Sequence, residues 1–210
     1  MVAQLYYHDR VPKLIDHERR RAELAEAVWR IVDRDGLGAV SVRHVAAEAG
    51  VSAGSLRHVL ASREEMLDAA MELVVERARD RFTARARLPL RNRDDLVALL
   101  AELLPLDEER RLELRTHLGL VVAGSGQAGT VAWRTRFDAA VREACRTVLR
   151  GGVGAGLLAP DLDLEGEASR LHVLVDGLAL HLLGPGEDID GDDARAALDR
   201  HLAALGATGP

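Results

Sequence analysis

The residues best suited to chemistry lie between Ser41 and Arg63, and the chemistry they suit is recognition of a phosphate-lined surface. Ser52, Ala53, Gly54, Ser55 and Arg57 combine small or hydrogen-bonding side chains with one guanidinium, and no acid stands among them. Ser41 and Arg43 precede this group, and His58 and Arg63 follow it. Hydroxyls and backbone N–H groups donate to phosphate oxygens, arginine does the same or pairs bidentately with guanine, and short side chains allow close approach to a groove. A helix meant only for solvent more commonly carries Glu and Lys at such positions.

To present these side chains together the chain needs two short helices and a tight turn. Ser41 is a natural N-cap, because its hydroxyl accepts from an otherwise unpaired backbone N–H. Val42, Val45, Ala46 and Ala49 then share one helical face. Gly50 follows, the residue type that ends a helix in a left-handed backbone at little steric cost. Ser52 caps the second helix, whose buried face is Leu56, Val59 and Leu60. Ala46 is small enough for the helices to cross closely, with Val51 filling the angle. The pattern predicts a helix-turn-helix whose second helix enters a DNA major groove. An ordinary helical hairpin has the same skeleton; the acid-free lead favours the DNA-binding reading.

The rest of the chain frames that motif. Its 210 residues allow one domain or two small ones, and with aromatics at only 3% helices are favoured over strands. Residues 1–63 hold 10 Lys/Arg against 8 Asp/Glu, a net +2, whereas residues 64–210 carry a net −8. A mildly basic front on an acidic body fits a protein that meets phosphate with its front alone. The single cysteine, Cys145, excludes an intrachain disulfide framework or a multi-cysteine zinc site and reads as a near-core residue. No apolar run reaches the roughly 18 residues of a membrane span, and no signal-type stretch opens the chain, so a cytoplasmic protein is expected.

In chain order, residues 1–16 read as an arm, in which Tyr6, Tyr7, Arg10 and Lys13 either touch DNA or form a loose tail. Residues 17–63 form the helix-turn-helix domain. Its first helix starts at His17 with Arg19, Arg20 and Arg21 in the first turn, against the helix dipole. Phosphate contact and a plain solvated charge run both account for that. Leu24, Val28, Ile31 and Val32 are its apolar stripe, ended by Gly36 and Gly38. Ser62 and Glu65 form a capping box for a bridging helix of about 63–88, stopped by Pro89. Residues 64–207 form an all-α body: helices from Asn92 and Asp107 (ending near Gly124), a longer one through Trp133 and Val148, a glycine-rich loop 151–156, a helix from Asp163, a Gly184-Pro185-Gly186 loop and a last helix to Leu205. That is about nine helices. The apolar stripes of the last two, Leu174, Leu178 and Leu182 with Leu198, Leu202 and Leu205, read as a homodimer interface; closure of the body's own core is the alternative.

The stretch from Arg19 to about Leu73 resembles the TetR/AcrR family of one-component transcriptional regulators. The likeness rests on the basic first helix, Gly36, Ser41-Val42-Arg43-His44-Val45-Ala46, Ala49-Gly50-Val51-Ser52, Gly54-Ser55-Leu56 and Ser62-Arg63-Glu64-Glu65-Met66. Val175-Asp176-Gly177-Leu178-Ala179-Leu180 and Leu198, His201, Leu202 and Leu205 are similar to the BetI-type branch. The resemblance implies a repressor that binds a pseudo-palindromic double-stranded operator as a homodimer and is released by a small-molecule effector. It also implies phosphate contacts at Ser41, Arg43 and Arg63, and a recognition helix over Ser52, Ala53, Gly54, Ser55 and Arg57. The family's usual Tyr and Phe at that helix's end are replaced here by Arg57 and Leu60, which leaves the operator and the task of Arg57 open.

Effector-lining candidates are Met71, Arg115, His117, Trp133, Phe137 and His172, each of which also reads as an ordinary core or surface residue. No cofactor or metal is expected. An enzyme is disfavoured, because the 151–156 glycines match no phosphate-loop spacing and the paired acids Glu64-Glu65, Asp94-Asp95 and Asp192-Asp193 fall where helix caps explain them. The remaining alternatives are an activator, or the same fold binding ligand or protein without DNA.

Overall fold

Leu, Ala and Arg dominate the sequence, and the described residues they build are mostly helical. The computed structural model describes residues 10–123, 128–184 and 189–206, with side chains from His17 onward except 123–132. The expectations at Tyr6, Tyr7, Gly124, Pro185 and Gly186, and for the side chains of Arg10 and Lys13, lie outside the described residues. The described residues form nine α-helices and one 3-10 turn, with no strand. They make two compact units: Met1–Val74 with Arg115–Ser125, and Val75–Leu114 with Gly126–Pro210.

The first unit contains α1 (Arg10–Asp35), the 3-10 turn Leu37–Ala39, α2 (Val42–Glu48) and α3 (Ala53–Arg57). It also takes in the first half of α4 (Arg63–Ala86) and the last half of α6 (Glu108–Ala123). The helix expected from His17 begins at Arg10, inside the expected arm. Pro12 falls in its first turn, where no N–H donor is required, so proline starts this helix instead of stopping it. Arg19, Arg20 and Arg21 are therefore well past the helix start, and the dipole argument does not apply to them. Arg21 instead donates to Glu72 on α4 at 2.8 Å.

Val28, Ile31, Val45, Leu56 and Leu60 are buried almost completely, each contributing about 1.5–3 kcal/mol of apolar transfer. Trp29, 1% exposed, donates its indole N–H to the Ala70 carbonyl at 2.8 Å and so ties α1 to α4. Glu48 on α2 accepts from Arg30 at 2.8 Å and Arg34 at 3.1 Å on α1. Those two guanidinium contacts, Arg30 first, hold its carboxyl below the usual range.

The second unit packs α5 (Arg93–Ala101) against α7 (Ala128–Gly154) and α9 (Gly191–Ala204), with α8 (Leu164–Leu183) lying along α7. Asn92 with Asp95, and Asp190 with Asp193, form capping boxes. The glycine-rich loop expected over 151–156 is helical through Gly154. At Gly152 a Cβ would stand 2.6 Å from Leu158 Cδ1 and 2.8 Å from its Cγ, so glycine is what lets the end of α7 lie against Leu158. Gly156 makes the turn that follows, at φ +71°.

The leucines read as an intermolecular interface have an intramolecular task. Leu178, Leu182, Leu198 and Leu202 belong to this unit's own buried core, and Leu174 and Leu205 pack against it half-buried. Period alone identifies an apolar stripe without saying which surface covers it. The core also holds Cys145, whose thiol is pushed up to about 12, by burial first and then by Asp176. Such a thiol stays protonated and inert near neutral pH.

Candidate nucleic-acid interface

Capping residues predicted from the sequence position the helix-turn-helix. The Ser41 hydroxyl accepts from the His44 N–H at 3.3 Å, and the Ser52 hydroxyl from the Ser55 N–H at 3.1 Å. Gly50 stands between them at φ +67°, with Val51 N–H donating to the Ala46 carbonyl at 2.9 Å. Ala46 and Leu56 are buried where α2 and α3 meet. After α3 the chain turns, yet Leu60 remains fully buried and anchors it.

Ser52, Ala53, Gly54, Ser55, Arg57 and His58 are all exposed, as is Arg43, and Ser41 is half-buried beneath its cap. Arg43 and Arg57 carry no ion pair or side-chain hydrogen bond to another described residue. The only acid on α2 or α3, Glu48, is already held by two arginines. Two free guanidinium groups and two serines are thus exposed on α2, α3 and the α3 cap, where the one acid is already paired.

Arg63 differs from the other candidates. Its Nε donates to the Val40 carbonyl at 3.0 Å and its Nη2 to the Leu37 carbonyl at 2.9 Å, and the residue is half-buried. His44 donates from Nδ1 to the Ala39 carbonyl at 2.8 Å; a carbonyl only accepts, so Nδ1 carries the proton. The cap of α4 also differs in detail from expectation. Ser62 accepts from Glu65 N–H at 3.1 Å, but the Glu65 carboxylate reaches the N–H of Ala61 at 2.8 Å.

The effector-lining candidates are divided between the units. Met71, Arg115 and His117 lie in the first, and Trp133, Phe137 and His172 in the second. Met71 and His117 are buried, while Arg115 donates to Asp33 on α1 at 2.7 Å. The guanidinium of Arg136 stands 5.0 Å from the Trp133 ring centre, Phe137 packs against the core, and buried His172 has Nε2 3.3 Å from Asp176. Burial and desolvation raise the Asp176 carboxyl, with His172 opposing. Neither unit gathers all six. Trp29, Glu48 and the carbonyls held by Arg63 were missed in the sequence because their partners stand 14–41 residues away.

A helix-turn-helix with an unneutralised basic face, in one chain with a second all-helical unit, defines a DNA-binding regulator. Residues 92–207 match the family described as BetI-type transcriptional repressor, C-terminal. The chain is 32% identical over 198 residues to the HTH-type transcriptional regulator PksA of Bacillus subtilis, covering 93% of this chain and 94% of that protein. A transcriptional regulator from Rhodococcus sp. Rha1 superposes with a TM-score of 0.72 at 27% identity, over 90% of this chain and 99% of the other. The fold is also that of a transcriptional regulator from Saccharomonospora viridis solved in complex with choline, with a TM-score of 0.75, 24% identity, and coverage of 88% and 96%. This chain belongs to the BetI-type branch of the TetR family, whose members are DNA-binding transcriptional regulators and not enzymes. Among the described residues no helix is long and apolar enough to cross a membrane.

Proposed function

We propose that this regulator is a cytoplasmic repressor that binds a pseudo-palindromic operator as a homodimer and is released by a small-molecule effector. Ser41, Arg43 and the lead of α3 from Ser52 to His58 meet the DNA. The observation that carries the reading is the pair Arg43 and Arg57, exposed and without an acidic partner among the described residues. Selection from a random duplex pool with purified protein at moderate salt tests it. Two half-sites about one helical turn, ~34–36 Å, apart are expected. Recovery of no sequence by well-folded protein would leave a ligand-binding module and sink the repressor.

Self-association is supported by a different face from the six leucines. On α8, Val173 is 72% exposed and Leu180 is 54% exposed, and between them a Cβ on Gly177 would meet nothing within 4 Å. Positions 173, 177 and 180 share one helical face, open to close approach by a second helix, with the exposed Asp176 beside them. A dimeric mass at micromolar concentration is expected, shifting toward monomer in Leu180→Glu. A monomeric wild type would overturn it.

For the effector, the choline-bound relative supplies a first compound to test. The Arg136 guanidinium over Trp133 argues against it, since a quaternary ammonium using that ring face must first displace a resident cation.

A further inference from the structure

We propose that Arg63 is a positioning residue for DNA binding: its guanidinium holds the Leu37–Val40 turn, and through it Ser41 and Arg43, and does not itself grip phosphate. The inference rests on the reading that Arg43 meets DNA, and it departs from the phosphate contact that the family resemblance implies for this position. The chain leaves α1 through Gly36 at φ +78° and makes one three-residue 3-10 turn, closed by Ala39 N–H to Gly36 carbonyl at 3.1 Å and Val40 N–H to Leu37 carbonyl at 3.2 Å. A 3-10 piece this short has poor hydrogen-bond geometry and little stiffness of its own. Val40 and then Ser41, the cap of α2, follow it, and Arg43 is two residues past Ser41. Any slack in the turn is therefore passed to Arg43.

Three side-chain donors remove that slack. Arg63 spans the turn, with Nε on the Val40 carbonyl and Nη2 on that of Leu37, while His44 holds the Ala39 carbonyl between them. Val40 itself is 2% exposed, which pins the end of the turn nearest α2. The two bonds need the planar fork of arginine, whose Nε–H and Nη–H diverge toward two acceptors at once. A lysine ammonium is a point charge on a flexible stem and does not reproduce that bridge. With Nε–H and an Nη2 N–H committed to the two carbonyls, the guanidinium no longer offers its Nε–Nη2 edge to a phosphate as a bidentate fork.

The test uses the full chain and the duplex that the wild type selects from a random pool. Affinity is measured over a range of salt for wild type, Arg63→Lys, Arg63→Ala and, as a phosphate-contact reference, Arg43→Ala, at a temperature where circular dichroism shows each fully folded. Arg63→Lys and Arg63→Ala are both expected to lose about tenfold or more on the selected duplex. Both should keep the wild-type salt slope, because Arg43 still reaches phosphate in the bound state and only the ordering of the turn is lost, while Arg43→Ala flattens the slope by about 0.9. Full affinity in Arg63→Lys, or a flattened slope in Arg63→Ala, would overturn the proposal in favour of a phosphate contact. A lowered melting temperature with unchanged affinity in both would reduce Arg63 to a stabilising residue and equally overturn it. Should the alanine variant fail to fold, the lysine variant carries the test alone. A wild type that selects no duplex defeats the DNA reading itself, before any variant is compared, and takes this proposal with it.

Discussion

The starts of α2 and α3 are built differently from those of five other helices. In α2 and α3 the first turn carries no acid behind its serine cap, and the free arginines stand at the second residue of α2, Arg43, and at the end of α3, Arg57. The first turns of α4, α5, α6, α8 and α9 each carry two acids: Glu64 and Glu65, Asp94 and Asp95, Glu108 and Glu109, Glu165 and Glu167, Asp192 and Asp193. An acid at that end stabilises a helix by roughly 0.3–1 kcal/mol, so five helices take their own anion, while α1, α2, α3 and α7 carry none in the first turn. The arginines divide less cleanly, since Arg21, Arg30 and Arg34 of the first unit also hold acids and Arg79, Arg87, Arg142 and Arg200 of the second hold no ion pair among the described residues. In the second unit Arg81 holds Glu113 through two bonds, at 2.9 and 2.6 Å, Arg93 holds Asp199 at 2.5 Å, and Arg146 reaches Glu143 and Glu165. Arg43 and Arg57 hold no such partner among the described residues. On the reading proposed for Arg43 and Arg57, forgoing a local anion at α2 and α3 trades some helix stability for access to phosphate.

The sharpest way to break this contrast is to give α3 the acid that α4, α5, α6, α8 and α9 have. Ala53→Glu should lower affinity for the selected duplex by several kcal/mol, about a hundredfold, because like charges meet at the phosphate surface. Thermal stability should hold or rise by a few tenths of a kcal/mol. Titration and melting curves on one sample read both signs, and a fall in stability with intact DNA binding would end the comparison. Arg57→Ala comes next, with a loss of about 1–3 kcal/mol on the selected duplex and a relaxed preference at one base position if the contact is to guanine. Repeating the selection with the variant separates that role from a phosphate contact, which weakens all sequences alike.

Glycines give a smaller, structural version of the contrast. Gly152→Ala places a methyl against Leu158, which is 1% exposed and has little room to yield. Overpacking of about 1–3 kcal/mol should outweigh the helix-propensity gain of about 1 kcal/mol, lowering the denaturation midpoint. Gly177→Ala meets nothing within 4 Å, so it should raise the stability of the isolated chain while weakening self-association in sedimentation.

The smallest effect is a pH response. Burial, opposed by Glu167 and reinforced by Arg170, holds His201 below its ordinary value of 6.5. Above 6.5 the ring is neutral in both folded and unfolded chains and its contribution to stability is complete. As pH falls from 6.5 through the depressed folded value, the unfolded chain takes the proton more readily and stability is lost. Melting temperatures between about pH 7 and 5 should fall less steeply in His201→Gln than in wild type. Equal slopes would show that His201 is not responsible.

What the sequence determined alone is whatever neighbours within about four residues decide. The Ser41 and Ser52 caps, the left-handed Gly50, the Asn92–Asp95 box and the alternation of helices all follow from hydrogen bonds and backbone sterics internal to one turn. The helix-turn-helix and its exposed face were therefore legible, and they carried the family with them. Only the tertiary structure decided what a side chain does once distant segments meet. Arg63 has the same local sequence whether it faces phosphate or the Leu37 and Val40 carbonyls, which stand 26 and 23 residues away. Arg115 is a pocket candidate until Asp33, 82 residues back, takes its guanidinium. Leu198 and Leu202 belong to an apolar stripe by period, but only packing shows that their own unit covers them completely. Gly152 read as a loop because glycine is a poor helix former, and it is helical because the space beside it belongs to Leu158. Local rules fix which conformation a residue prefers, and partners brought from far along the chain fix which of its surfaces is used.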